Sequence, residues 1–151
     1  KFMMYKFLGL FFLAFPTLAS ADVEAQAWAR ATAPGSSSAA VYGLFKNTGA
    51  DLRSFSEVKF SGARHAMIHE TRVEKGVVRM IRGRVVLPPG ESYELKPGGT
   101  HLMLMGISSP LVEGCLYPFQ VVWDSGESTD YYFLTGSYGQ MGFPNNSSQC
   151  P

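Results

Sequence analysis

His101-Leu102-Met103-Leu104-Met105, entered from a Pro97-Gly98-Gly99 turn, alternates metal-coordinating with aliphatic side chains at every step. A period of two is the mark of a half-buried strand, so His101, Met103 and Met105 share one face and Leu102 and Leu104 take the other. One face packs a core; the other offers an imidazole and two thioethers to whatever lies outside. A lone His-x-Met is ordinarily a satisfied histidine beside core methionines. The stretch acquires chemical meaning only if other parts of the chain bring it partners.

Working outward, the chain reads as short strands divided by turn residues, with no long stretch of helical period. The expected strands are Val23–Arg30, Ala39–Lys46, Phe55–Phe60, Ala66–Val73, Val77–Ile81, Val85–Leu87, Tyr93–Leu95, His101–Met105, Tyr117–Trp123 and Thr129–Thr135. Lys75-Gly76 makes a tight hairpin between the fourth and fifth, and Asp124-Ser125-Gly126 joins the last two. Many short strands at even spacing, punctuated by Gly and Pro, argue for an all-β antiparallel sandwich or small barrel.

The ends bound the problem. Residues 1–21 carry a cationic start (Lys1, Lys6), an apolar run from Phe7 to Phe15, a breaker at Pro16 and an Ala19-Ser20-Ala21 site. That is the pattern of a secretory signal peptide and is too short for a membrane span. Cleavage after Ala21 leaves one domain, residues 22–135, and a Gly-, Asn- and Ser-rich tail, residues 136–151, expected to be flexible. The formal charge of +1 becomes slightly negative once Lys1 and Lys6 leave. A near-neutral mature chain gives no support to nucleic-acid binding or to a polybasic membrane patch. Cys115 and Cys150 have no zinc-like spacing, and in an exported protein the default is a disulfide between them.

The chemistry has to be assembled from several strands. His69 precedes Met80 with ten residues between, on opposite arms of the expected hairpin; after twenty more come His101 and then Met103. Two histidines and two methionines form a nitrogen and sulfur set with neither thiolate nor negative charge. Such a set suits Cu(I) better than Zn, which usually takes Cys or carboxylate as well. Thioethers also need no deprotonation and are not lost to disulfides in an oxidising compartment.

These residues, within "IHE", "VVRM" and "PGGTHLMLMG", resemble the signature of the PCuAC family of periplasmic copper chaperones: a His, a Met ten residues beyond it, and a later His-x-Met. The likeness extends to "AWARATAPGSSSAAVYGLFKNTG" and "LPPGESYELKPGGTHLMLMG", covering about Val23 to Thr135. The Met80 to His101 interval is one residue shorter than the family's usual spacing. Thr71 stands where some members carry another Met, and the tail lacks the histidines that extend certain members. The resemblance implies a cupredoxin-like, Greek-key β-sandwich or barrel that binds one Cu(I) through His69, Met80, His101 and Met103. It further implies a monomeric periplasmic carrier, not an enzyme. Such a carrier hands copper to a cuproprotein such as the dinuclear centre of cytochrome c oxidase subunit II, alongside a thioredoxin-like copper carrier.

His65 and Met67 alternate with His69 along one strand face and lie near the proposed ligands; Met105 shares the face of Met103 and reads as rim or core. Trp28, Tyr42, Phe45, Phe60 and Trp123 read as packing aromatics. Arg79, Arg82 and Arg84 form a local basic cluster suited to a solvated face or to docking an acidic partner. Two other functions stand beside the carrier. A blue-copper electron carrier needs a Cys thiolate with two histidines, and Cys115 has no histidine after it. A metal-free structural or adhesive β-sandwich would leave His and Met on the surface by accident. Enzyme readings lack a Gly-x-Ser-x-Gly elbow, a phosphate loop and a nucleophile–base pair.

Overall fold

A computed structural model describes residues 22–145 and Cys150. The expected signal segment, residues 1–21, lies outside the described residues. Within them the chain forms ten strands and no helix: β1 (Val23–Arg30), β2 (Ser38–Asn47), β3 (Arg53–Lys59), β4 (Ala63–Glu74), β5 (Val77–Arg82), β6 (Val85–Leu87), β7 (Ser92–Leu95), β8 (His101–Ile107), β9 (Leu116–Trp123) and β10 (Ser128–Gly136). All ten expected strands are present, most of them longer by a residue or two than the sequence pattern alone delimits.

The strands follow the order β5-β4-β8-β2-β1-β10-β9-β3-β6, with β7 beside β2, and a β3–β4 pairing closes the sheet on itself. Every ladder is antiparallel except β1–β10, which is parallel. The closure rests on one pair, Glu57 opposite Met67, so the barrel is open along most of the β3–β4 seam.

Inward-facing residues of successive strands fill the barrel, as a period of two requires. Phe55, Phe133, Ile68, Leu102, Leu104 and Val121 are fully buried. The rings of Phe45 and Phe55 lie 5.4 Å apart, Phe55 and Trp123 5.3 Å, and Phe60 and Phe133 5.5 Å, within the range in which tilted and edge-on aromatic pairs attract. The buried Asn47 side chain donates to the carbonyls of Asp51 and Leu87, tying the end of β2 to β6.

Two local devices position the strands that matter below. Lys75 and Gly76, both at positive φ (50° and 78°), form the two-residue turn whose twist matches the flanking β4 and β5. On β2, Gly43 marks the point where pairing passes from β8 (Ser38–Val41) to β7 (Gly43–Lys46). A Cβ there would collide with the Gln26 carbonyl and approach Ala27 Cα at 2.8 Å, so only glycine lets β1 and β2 lie this close.

Cys115 and Cys150 are joined as a disulfide, Cα atoms 4.3 Å apart across a sequence separation of 35. Closing a loop of that length removes chain entropy from the unfolded state worth about 3–4 kcal/mol. The segment after β10 also meets the body: Arg30 Nε donates to the Gln140 carbonyl at 2.6 Å, and its guanidinium contacts Met141 Sδ at 3.3 Å.

Candidate metal centre

The register of β4 on β8 decides what the outward face of this seam presents. His69 lies directly opposite His101, Met67 opposite Met103, and His65 opposite Met105. Directly paired residues project to the same side of a sheet with Cβ atoms about 4.5–5.5 Å apart. The intervening residues, Ile68, Leu102 and Leu104, point into the core. Three consecutive rungs therefore carry six soft donors. The shorter Met80 to His101 interval leaves this register intact from Ala63–Ile107 to His69–His101.

His69 and His101 are ring neighbours, centroids 5.9 Å apart and nearly perpendicular. His101 is only 7% exposed, and its Nδ1 donates to the Gly99 carbonyl at 2.9 Å. That bond places the proton on Nδ1 and leaves the Nε2 lone pair free, the arrangement that orients imidazole ligands in metal sites. Thr71 Oγ1 donates to the same carbonyl at 3.4 Å, bracing the Gly98-Gly99 turn over the site. His69 Nδ1 is buried without a hydrogen-bond partner, an unpaired lone pair or proton that a polar interior does not ordinarily leave. Partial burial, and then the neighbouring His101, hold the His69 pKa below the ordinary imidazole value. The ring stays neutral, and so able to donate, to lower pH than a free histidine.

Met80 joins the set differently. Hairpin pairing puts Met80 opposite Thr71 and Arg82 opposite His69, so Met80 shares the face of His69 but stands one diagonal step from it, with Cα atoms ~7–8 Å apart. At 62% exposed it is the outermost of the four. The structure thus brings His69, His101 and Met103 onto adjacent rungs and leaves Met80 at the solvent edge, within side-chain reach. Among the described residues no group of three or more His, Cys, Asp or Glu side chains is placed to hold a metal ion; the expected set draws two of its four donors from thioethers, which are not of those types.

Met67, expected near the proposed ligands, faces Met103 across one rung. Other neighbours were not legible as site residues. Tyr42 stands with its ring 6.5 Å from that of His101, Trp28 lies 4.8 Å beyond it, and the Arg30 guanidinium sits 5.8 Å over Tyr42. Trp28 and Tyr42 are buried, as expected, but on the outer side, apart from the core cluster. Tyr42 flanks His101, and Trp28 backs Tyr42. Of the basic cluster, Arg82 borders His69, Arg84 pairs with Asp124 at 3.0 Å, and Arg79 lies opposite Arg72 on the other face of the hairpin. Both cysteines of the chain are in the disulfide, so no thiolate is left for a blue-copper centre.

Comparison with known proteins places the fold. The model of the family described as "Putative lipoprotein LpqE-like" matches residues 24–133. The chain belongs to the LpqE-like family. A relative from Leifsonia xyli subsp. xyli, described as "Putative lipoprotein Lxx21020", is 35% identical over 91 residues, 59% of this chain and 54% of its own. This LpqE-like chain therefore spans about half the length of that curated relative. Among solved structures, the apo PCuAC domain from PmoF1 aligns with TM-score 0.66 and 22% identity, covering 78% of this chain and 95% of that one. The copper-bound PCuAC domain from PmoF2 gives 0.64 and 21%, covering 79% and 96%. The CuI-DR1885 solution structure from Deinococcus radiodurans gives 0.58 and 19%, covering 74% and 76%. The LpqE-like chain has the PCuAC fold, a cupredoxin-like β-barrel.

Proposed function

We propose that this chain is an exported copper carrier that holds Cu(I) as cargo on the outer face of β4, β5 and β8. His69, His101 and Met103 form the body of the site and Met80 is the exchangeable outer ligand. The observation that carries this reading is the direct opposition of His69 and His101, with Met103 one rung away on the same face. The residues fit the ion: an orphaned nitrogen on His69, a lone pair held free on His101 and uncharged sulfur donors together favour soft monovalent copper over zinc or hard cations. Two of the PCuAC structures that share the fold are described as copper-bound or CuI forms, which supports the same cargo here.

Graded access suits transfer. His101 is covered, His69 and Met103 are half-buried, and Met80 is open to solvent. A recipient's donor can replace the Met80 sulfur first: one copper–sulfur bond breaks as another forms, with no change of oxidation state and the two imidazoles still holding the ion. Arg82 beside the site and Arg79 at the hairpin offer positive charge for docking an acidic recipient surface. The reading extends to residues 1–21 as an export signal, residues 22–135 as the copper-binding domain, a periplasmic location, and a cuproprotein recipient of the cytochrome c oxidase subunit II type. A competition titration with a Cu(I) chelator tests the site. The His101→Ala/Met103→Ala variant should bind Cu(I) ~10–100-fold more weakly; unchanged affinity would reject the assignment.

A further inference from the structure

The ladder of soft donors does not end at Met103. Beyond it along β4 and β8 come Met67, paired with Met103, and then His65 paired with Met105. None of His65, Met67 and Met105 is needed to complete the four-ligand set above. Yet all three project from the same outer face, His65 exposed and the two methionines half-buried. On the flanking strand β2 the residues opposite Met103 and Met105 are Ala40 and Ser38, small side chains that leave the sulfurs uncovered. On the other side β3 and β4 part, and His65, Met67 and Glu57 line an open cleft of about 540 Å³.

We infer that His65, Met67 and Met105 form a second soft-metal station, one that takes Cu(I), or Ag(I) in its place, farther along the same two strands. The inference rests on the copper reading of the first site and extends it. One imidazole and two thioethers are again a neutral nitrogen–sulfur set of the kind that selects Cu(I). Successive rungs on one face are ~7 Å apart along a strand, so an ion can pass between stations by exchange at the Met67–Met103 rung. One sulfur bond forms as another breaks, and copper stays monovalent throughout. Glu57, directly opposite Met67, sets a carboxylate beside the station that offsets the charge of the ion. Lys59 and Arg64 line the same cleft and oppose it. The second station is therefore the weaker of the two, placed to receive or release an ion at the open seam, while the first retains it.

Ag(I) added to the full chain, followed by native mass spectrometry and by NMR of methionine methyl groups and histidine rings, tests this. The disulfide removes both thiols from the count. Two equivalents are expected. The first should shift Met103 and Met80 methyls, and the second the Met105 methyl and the His65 ring. His65→Ala/Met105→Leu, which alters an exposed side chain and swaps another for one of similar volume, should lose the second equivalent and keep the first. Uptake of a single ion with Met105 and His65 unmoved overturns the second station and leaves the first standing. A second equivalent that persists in the double variant also overturns it. Uptake of none overturns both.

Discussion

The two faces of β8 are built from alternate residues of one seven-residue strand and carry different loads. Leu102 and Leu104 are 2% and 0% exposed and lie in the continuous core with Ile68, Phe55 and Phe133. His101, Met103 and Met105 face outward beside β4 and contribute little to that core. The inner face fixes where the strand sits; the outer face only has to be donors of the right kind at positions the inner face determines. On the proposed function, packing and metal binding are therefore separable here, more than in sites dug into a protein interior, where each ligand is also a core residue.

That separation can be broken by mutation. Leu104→Ala removes a fully buried side chain and should cost about 2–5 kcal/mol of unfolding free energy, measured by denaturant titration of the apo protein. The fraction that remains folded should keep its Cu(I) affinity; a loss of affinity equal to that of His101→Ala would show that the two faces are not independent. Within the outer face the ligands should rank by cover. His101→Ala removes a buried, hydrogen-bonded donor and Met80→Leu an exposed one, so chelator competition should find Met80→Leu the milder change in affinity, while metal exchange to a competing thioether ligand quickens because the outer sulfur no longer has to leave.

The smallest expected effect concerns β10, which supplies none of the proposed ligands. Burial pushes the Tyr131 hydroxyl up to about 12 from its usual 10.0, and it donates to the Val23 carbonyl at 2.8 Å. The native state then holds this proton more tightly than the unfolded chain. Its contribution to stability is complete below pH 10 and is lost as pH rises from there through 12. Tyr131→Phe should flatten that alkaline fall in thermal midpoint and leave Cu(I) affinity unaltered; an altered affinity would couple the packed side of the barrel to the site.

Strand number and the inward and outward faces were legible because alternation and turn residues are local. Val23–Arg30 and Val85–Leu87 match the strands residue for residue. Part of the register is legible too: a two-residue turn at Lys75-Gly76 makes Met80's place opposite Thr71 a matter of counting. His101's place opposite His69 is not, since nearly twenty residues and two further strands intervene between β5 and β8. For the same reason Met67 could not be seen to face Met103, nor Tyr42 to flank His101. Aromatic residues in β1 and β2 look alike in sequence whether they fill the barrel, as Phe45 does, or flank His101 outside the core cluster, as Tyr42 does. The disulfide was open on sequence alone because its partners are separated by 35 positions, and only the fold brings their Cα atoms within bridging range.

The central claim is that uncharged nitrogen and sulfur donors from β4, β5 and β8 meet around one soft monovalent ion. X-ray absorption at the copper edge, on protein loaded with one equivalent of Cu(I) under anaerobic conditions, tests it most directly. A shell containing both imidazole nitrogen and thioether sulfur is the predicted result. A shell of nitrogen and oxygen alone, or one unchanged when His101 and Met103 are replaced, would contradict it.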